Sequence, residues 1–558
     1  MELHVYYLMP EIILLAAACA ATLLGLSRKD GVRRLAQVVA ALACLAGLVT
    51  TLTMQWADVH YHLARTTEAA YGFGLRYFNP TFITGLTCAV GFIMVLMSWD
   101  MPAQGEPATS DKRYRGEYFG MMLFSLAAVG MIGKVNDLVW LFIALELVSI
   151  PTYIMVATGR SQIVAQEAGI KYFFLGALAA AIFLFGFSYI YGATGATRFS
   201  DIRAAFAGVN GGMPAMNSPL ALIGVLSVIV GVSYKIAAVP MHFFAPDVYQ
   251  GAATPVTAYL AFAPKVAGFL AIILMLSLFN FNYHTPSGHA IMVLLSVMAA
   301  LTMTVGNVMA LLQRNVKRML AYSSIAHSGY ILVGLAAGTG DGTVGHSGIL
   351  AALFYLASYA VMNTGAFAVL VYMQGKADAA EDLDDLAGIA REHRGPAFML
   401  ALCLFSLIGM PLTVGFVGKL YIMSTALFAG RYALVVIMAV NAAIAAAYYL
   451  RIISSMYLRE PLYPFSLRRA LPIRISAVLC SIGVFVLFFA PTLVMAPSWG
   501  YEATDPTRSP AAGAGAARGT GAAAEGEVGL KAEAGRTLGM KAGKESGPAA
   551  LLVGAAAR

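Results

Sequence analysis

Apolar residues recur along this chain in runs of about twenty, separated by short polar gaps, until roughly residue 496. A helix that crosses a bilayer needs ~20 predominantly apolar residues. Fourteen windows reach that length: 5–26, 35–56, 78–98, 115–133, 137–157, 167–192, 219–239, 254–279, 289–312, 318–338, 347–374, 397–428, 432–457 and 474–496, numbered here as spans 1–14. Backbone polar groups find no water in hydrocarbon, so each span is expected to be a helix that satisfies its own amides and carbonyls. The first window is too long for the core of a signal peptide, and the chain is expected to keep it. The pattern predicts an all-α polytopic membrane protein.

Composition supports this and removes other classes. The 558 residues are 59% hydrophobic and 11% charged, with a mean hydropathy of +0.75. Soluble domains carry roughly 45–50% apolar and about 25% charged residues. The five cysteines (Cys19, Cys44, Cys88, Cys403, Cys480) lie in apolar runs with no CxxC pair, which excludes a disulfide scaffold and a metal cluster of that kind. A net charge of +8 raises nucleic acid as a partner, but the basic residues form no aromatic-interleaved patch, so none is expected. Lys and Arg instead fall in the gaps, 18 in odd-numbered loops against 6 in even-numbered ones. Positive charge stays on the cytoplasmic side, which makes the odd loops cytoplasmic and puts both termini on the opposite face.

The chain divides into a three-helix segment (1–114), two five-helix units (115–279 and 280–457), a last helix (458–497) and an Ala/Gly-rich tail (498–558). The tail cannot bury enough apolar surface to offset its ordering entropy, so disorder is expected there. The loop around 376–394 carries Glu381, Asp382, Asp384 and Asp385, read either as a solvated cytoplasmic face or as a docking surface for a partner.

The charges inside the spans carry the chemistry. Arg451 lies near the cytoplasmic end of span 13 and can snorkel. Lys171, Lys235, Lys265 and Lys419 lie deeper, and against them stands Glu146, near the middle of span 5. A central charge costs about 2.5–3.5 kcal/mol on insertion scales. One carboxylate compensates one lysine, so the others are expected to be neutral in part of a cycle, and an amine that alternates between charged and neutral carries protons. Lys171, beside Glu167, also reads as an ordinary charge pair. His327, in Ser323-Ser324-Ile325-Ala326-His327-Ser328-Gly329-Tyr330, lies inside span 10, and imidazole titrates near neutrality. It reads as a relay or as hydrogen-bonded structure.

Helix breakers sit beside two of these lysines. Span 7 runs Val230-Gly231 through Lys235 to Pro240, and span 12 runs Gly409-Met410-Pro411 and then Val414-Gly415 to Lys419. Each is the fourth helix of its five-helix unit, spans 4–8 and 9–13. Five is odd, so consecutive units have opposite orientation, which is the inverted-repeat plan of transporters with ionisable sites at broken helices. No Rossmann fingerprint, Walker A sequence or iron–sulfur cysteine cluster is present, so no cofactor is expected in this chain.

The stretches Asn136 to Leu147, Ser233-Tyr234-Lys235, Pro240-Met241-His242, Ala245 to Ala252 and Thr254-Pro255-Val256 resemble the antiporter-like membrane subunits of respiratory complex I. Ala263-Pro264-Lys265-Val266-Ala267-Gly268-Phe269 and Gly415 to Lys419 look like the N-type subunit of bacterial NADH-quinone oxidoreductase. The resemblance covers about Met9 to Pro491. It implies that Glu146 and Lys235 form a pair and that Lys265 and Lys419 continue a proton route. It further implies partner membrane subunits in a hetero-oligomer, with NADH, FMN, iron–sulfur clusters and quinone handled by other subunits. M-type members carry a glutamate where Lys419 stands, and L-type members carry a long amphipathic helix after span 14. The tail departs from the family pattern. An Mrp-type cation/proton antiporter subunit and a passive scaffold whose charges only pack helices are the rival expectations.

Overall fold

The computed structural model describes residues 6–61, 79–99, 116–159, 163–208, 215, 218–279, 283, 285–339, 346–374, 381–462, 467–468 and 470–498. The helices are α1 (Met9–Gly25), α2 (Asp30–Tyr61), α3 (Pro80–Met97), α4 (Gly116–Ile132), α5 (Leu138–Thr158) and α6 (Ile163–Thr194). They continue with α7 (Pro219–Ser233), α8 (Phe244–Gly251), α9 (Thr254–Leu260), α10 (Ala263–Ser277), α11 (Pro286–Leu311) and α12 (Val316–Ala337). The last are α13 (Gly348–Met373), α14 (Arg394–Ile408), α15 (Val414–Phe428), α16 (Tyr432–Leu458) and α17 (Leu471–Phe489). Short helices Phe199–Ala207, Ile389–Glu392 and Thr492–Ser498 join them, and among the described residues strand pairing is limited to isolated bridges. Chain contacts separate Met1–Pro506 from Thr507–Arg558, and the second unit, with nearly all of the expected tail, lies outside the described residues.

Local sequence explains the starts. Asn79, Asp137, Ser218, Thr285, Asn315 and Ser347 each accept a first-turn amide at a helix N-terminus. Proline stands in the first turn of α3, α7, α10 and α11, where no amide is missed.

Ten described helical segments are long and apolar enough to cross a membrane, among them Leu138–Thr158, Ile163–Thr194, Thr254–Ser277, Val316–Ala337 and Gly348–Met373. Five shorter apolar helices, α1, α4, α7, α14 and α15, account for the other apolar windows. The segments differ in exposure. Thr254–Ser277 and Val316–Ala337 are buried throughout their most apolar stretch, whereas Leu471–Phe489 is buried over only a third of it. A polytopic helical protein with an inner axis (α9, α10, α12, α13) and an outer wall results. Lys265 and His327 lie on that axis, 1% exposed each.

Spans 7 and 12 are broken, as their prolines suggest. α7 ends at Ser233 and α8 begins at Phe244, while α14 ends at Ile408 and α15 begins at Val414. Each break holds a non-glycine residue with positive φ, Ala237 (53°) and Leu412 (70°). Such a conformation costs of order 1–2 kcal/mol and persists where the surroundings dictate it. The shared string Val-Gly-x-x-x-Lys runs into the break in span 7, with Lys235 just past the end of α7, and lies after the break in span 12. Span 8, expected as one helix over 254–279, is instead interrupted between Leu260 and Ala263. The signal was Pro264, which cannot donate an amide bond to the preceding turn.

The acidic loop is tied down within the chain. Glu381 pairs with Lys317 (2.6 Å), Asp384 with Arg459 (2.6 Å), and Asn315 Nδ2 donates to Asp382 Oδ1 (3.2 Å). Arg451 donates to the carbonyls of Leu311 (3.1 Å) and Gln313, capping the end of α11.

Candidate proton-relay site

Glu146 lies in the third turn of α5, and Lys235 lies in the turn that follows α7. Lys235 Nζ donates to Glu146 Oε1 (3.2 Å), to the Leu145 carbonyl (3.2 Å) and to Ser149 Oγ. Three acceptors match the three protons of an ammonium. The Phe183 ring stands 5.7 Å from the same nitrogen. The Lys235 side chain is 4% exposed and that of Glu146 is 20% exposed. Ending α7 at Ser233 lets the lysine leave the helix direction and reach across to α5.

Lys265 stands in the first turn of α10 and donates to Ser328 Oγ (2.6 Å) and to the Ser324 carbonyl, both on α12. Its nitrogen lies 5.6 Å from the centre of the Tyr359 ring. Ser328 Oγ donates in turn to the carbonyl of Ile236 (2.7 Å), the residue after Lys235. Ser328 thus bridges the Lys265 amine to the backbone one residue beyond Lys235.

His327 uses both ring nitrogens. Nδ1 lies 2.7 Å from the Tyr355 hydroxyl and Nε2 lies 3.1 Å from that of Tyr449, which also bonds Ser323 Oγ. A neutral imidazole has one donor and one acceptor nitrogen, so the two tyrosines play opposite hydrogen-bonding roles at any moment.

Lys419, in the second turn of α15, reaches back across the break to the Leu407 (2.9 Å) and Ile408 (2.7 Å) carbonyls of α14. These are orphan carbonyls at a helix C-terminus, where the backbone dipole favours positive charge. The Tyr330 ring lies 5.0 Å from the amine, and the Tyr330 hydroxyl accepts from Asn307 Nδ2 (3.0 Å). Asn307 is further bonded to Asn441 (3.1 Å) and Tyr448 (3.1 Å).

The structure therefore gathers Lys235, Lys265, His327 and Lys419 in the interior, with Glu146 at its edge. It leaves Lys171 apart: that side chain is 45% exposed and pairs with Glu167 (2.7 Å) and Asp247 (3.4 Å). Sequence reasoning missed Tyr330, Tyr355, Tyr449, Ser324 and Ser328, although the polar run Ser323 to Tyr330 was in view. It also missed two buried ion pairs, Glu11 with Lys134 (2.7 Å) and Glu381 with Lys317. The glutamate inside the first window was the available signal for the former. Chemically, Lys235 is held by a carboxylate, whereas the described acceptors of Lys265 and Lys419 are neutral oxygens. An amine held by neutral oxygens strands no buried anion when its proton moves on.

Residues 135–445 match the family model described as NADH:quinone oxidoreductase/Mrp antiporter, TM. The chain is 35% identical over 498 residues to NADH-quinone oxidoreductase subunit N of Rhodospirillum rubrum, covering 87% of this chain and 94% of that protein. It is 42% identical over 384 residues to subunit N of Trichlorobacter lovleyi, covering 68% and 75%. In three dimensions it resembles a chain of respiratory complex I from Thermus thermophilus with bound aureothin, with a TM-score of 0.66, 27% identity and coverage of 87% and 98%. A chain of the Mrp complex from Dietzia has the same fold at 19% identity, with a TM-score of 0.71 and coverage of 90% and 98%.

Proposed function

This chain belongs to the family of NADH:quinone oxidoreductase and Mrp antiporter transmembrane subunits, and from that premise we propose that it is the N-type, proton-translocating subunit of a bacterial NADH-quinone oxidoreductase. It works beside other membrane subunits, and NADH oxidation and quinone reduction take place elsewhere in the complex. The Mrp-type reading shares the fold, but the relatives at 35–42% identity carry the subunit N name. In this reading all fourteen spans cross the inner membrane, spans 4–8 and 9–13 are inverted repeats, and both termini are periplasmic. The paired positive-φ breaks at Ala237 and Leu412 support the repeat plan.

The relay runs from the Glu146–Lys235 pair through Lys265 and His327 to Lys419. A charge change transmitted from the quinone-reducing arm alters the Glu146–Lys235 pairing. In this buried interior a charge change reaches further than it would in water, and Ser328 connects Lys265 to the segment that bears Lys235. The proton then moves through His327, whose two nitrogens accept on one side and donate on the other, and Lys419 releases it toward the periplasm. Lys171, in its exposed pair, stands outside this line.

The observation that carries the reading is the bridge from Lys265 through Ser328 Oγ to the carbonyl of Ile236, the residue after Lys235, which brings the lysine sites of spans 7 and 8 side by side. Substitution of Lys419 tests it. Lys419→Ala should block release and slow pumping and NADH-quinone turnover together. Lys419→Arg should keep charge and assembly yet impair transfer, because a guanidinium holds its proton. Both are measured in closed membrane vesicles. Normal pumping by the Arg variant would make Lys419 a charge holder for the α14 terminus and end the relay elsewhere.

A further inference from the structure

Lys317 is a buried amine that the relay above does not use. It stands in the first turn of α12, its side chain is 1% exposed, and Nζ lies 2.6 Å from Glu381 Oε1 and 3.2 Å from the Ala252 carbonyl. Glu381 is 21% exposed, so the pair has one member in contact with the surroundings and one inside. The segment bearing Glu381 is held in place by Val316 N to Glu381 O (2.6 Å), Leu383 N to Arg314 O (3.2 Å) and Ser455 Oγ to Leu383 O (2.8 Å). The carboxylate is thus positioned, in contrast to one on a free loop.

The same face of α12 leads to Lys265. Ser324 stands seven residues beyond Lys317, two turns and roughly 10 Å along the helix, and its carbonyl holds Lys265. The gap between is polar but incompletely bonded. Gln374 donates from Nε2 to Thr254 Oγ1 (2.9 Å), two residues from the Ala252 carbonyl, while its Oε1 is buried without a partner. Ser324 Oγ and the Tyr359 hydroxyl are buried with no close, well-aligned hydrogen bond, and Ser324 lies near enough to interact with both Tyr359 and Tyr249. Gln374, Ser324 and Tyr359 are each 1% exposed. Nearly all buried polar atoms are paired, and ordered water supplies the partner when protein does not. Gln374 Oε1, near the Ala252–Thr254 segment that Lys317 touches, and the Ser324–Tyr359 pair beside Lys265 give a water molecule acceptors and donors at both ends.

We infer that Glu381 and Lys317 are the proton-loading pair of this subunit: Glu381 takes a proton from the cytoplasmic phase, and Lys317 passes it, through water held by Gln374, Tyr249, Ser324 and Tyr359, to Lys265. Each cycle balances. Lys317 gives a proton to the water file, recovers one from Glu381, and Glu381 is reprotonated from bulk, so no group ends changed. The inference rests on the reading of Lys265 as a relay member, and it places loading at Lys265 instead of at the Glu146–Lys235 pair.

The test uses the assembled complex in inverted membrane vesicles, whose outer face is the cytoplasmic one, with Lys419→Arg run alongside. Lys317→Arg preserves the ion pair and the hold on the loop, but guanidinium does not release its proton. Pumping and NADH-quinone turnover should fall together several-fold, with the amount of complex unchanged. Glu381→Gln removes the collecting group, so its turnover should fall most at high external pH and recover toward wild type at low pH. A purely structural tether predicts the reverse for Arg: wild-type turnover, pumping and pH profile, and that result overturns the inference. If the Arg variant does not assemble, Glu381→Gln decides alone, an unchanged pH profile overturning it. If Lys419→Arg is blocked and Lys317→Arg is not, the loading pair fails and the relay stands. If neither is blocked, both fail.

Discussion

Around Lys235 a single carboxylate sets the electrostatics. Glu146→Gln would leave the lysine its bonds to the Leu145 carbonyl and Ser149 but remove the only anion among its described partners. Removing one member of a buried pair costs about 3–5 kcal/mol, because the remaining charge stays uncompensated. The expected outcome is a several-fold loss of coupled quinone reduction and pumping, with Glu146→Asp milder because the charge survives with a shorter reach. Proton uptake by vesicles, normalised to assembled complex, checks it. Lys171 has the same side chain but a different outcome: 45% exposed beside two carboxylates, it forms a pair of the kind worth little, and its removal should leave pumping near wild type.

At the element scale, the α14–α15 break is built on close backbone approach. A Cβ added at Gly415 would lie 1.8 Å from the Ser406 carbonyl oxygen, and the contact is with backbone, which cannot swing aside. Gly415→Ala should therefore force the two half-helices apart and take Lys419 from the Leu407 and Ile408 carbonyls. Overpacking of this kind costs typically 1–3 kcal/mol. A reduced thermal midpoint together with impaired pumping in whatever complex assembles is the expected signature. Gly418 nearby has a different neighbour: a Cβ there would come within 2.6 Å of the Tyr355 ring, whose hydroxyl bonds His327. The glycines of span 12 thus admit both the lysine and the histidine's partner.

For the whole molecule, the first helix is joined to the rest by a buried ion pair distant from the relay in sequence and in partners. Glu11 of α1 binds Lys134, after α4, and Thr84 of α3 donates to the same carboxylate (2.7 Å), while Lys134 also donates to the Tyr7 carbonyl (2.5 Å). Two helices and the connection after α4 meet there. Glu11→Gln should destabilise the subunit by about 3–5 kcal/mol, since Lys134 loses its only carboxylate partner among the described residues. Thermal denaturation of the complex should show the loss, protons pumped per turnover should not change, and the double variant Glu11→Leu with Lys134→Met should recover part of the stability.

Much of this was present in the sequence by itself. Hydropathy determined the helices, because hydrocarbon permits no unpaired backbone. Proline and glycine near Lys235 and Lys419 located two breaks, because neither residue supports a continuing turn. The same reading placed Glu146, Lys235, Lys265, His327 and Lys419 at depth along the membrane normal. It left open where each side chain points around its helix. A helix that is apolar nearly all round, such as α6, or one whose polar residues are spread around it, such as α12, carries no stripe to mark its inner face. The sequence already offered Glu167 to Lys171, but only the tertiary structure settled that Lys171 turns outward, adding Asp247, and that Lys317, counted among the loop charges, turns inward to Glu381. It alone also chose the partners of Lys265 and Lys419, because carbonyls and hydroxyls made available by breaks and turns leave no mark at the lysine's own position, whereas the Glu146 partner of Lys235 was already expected.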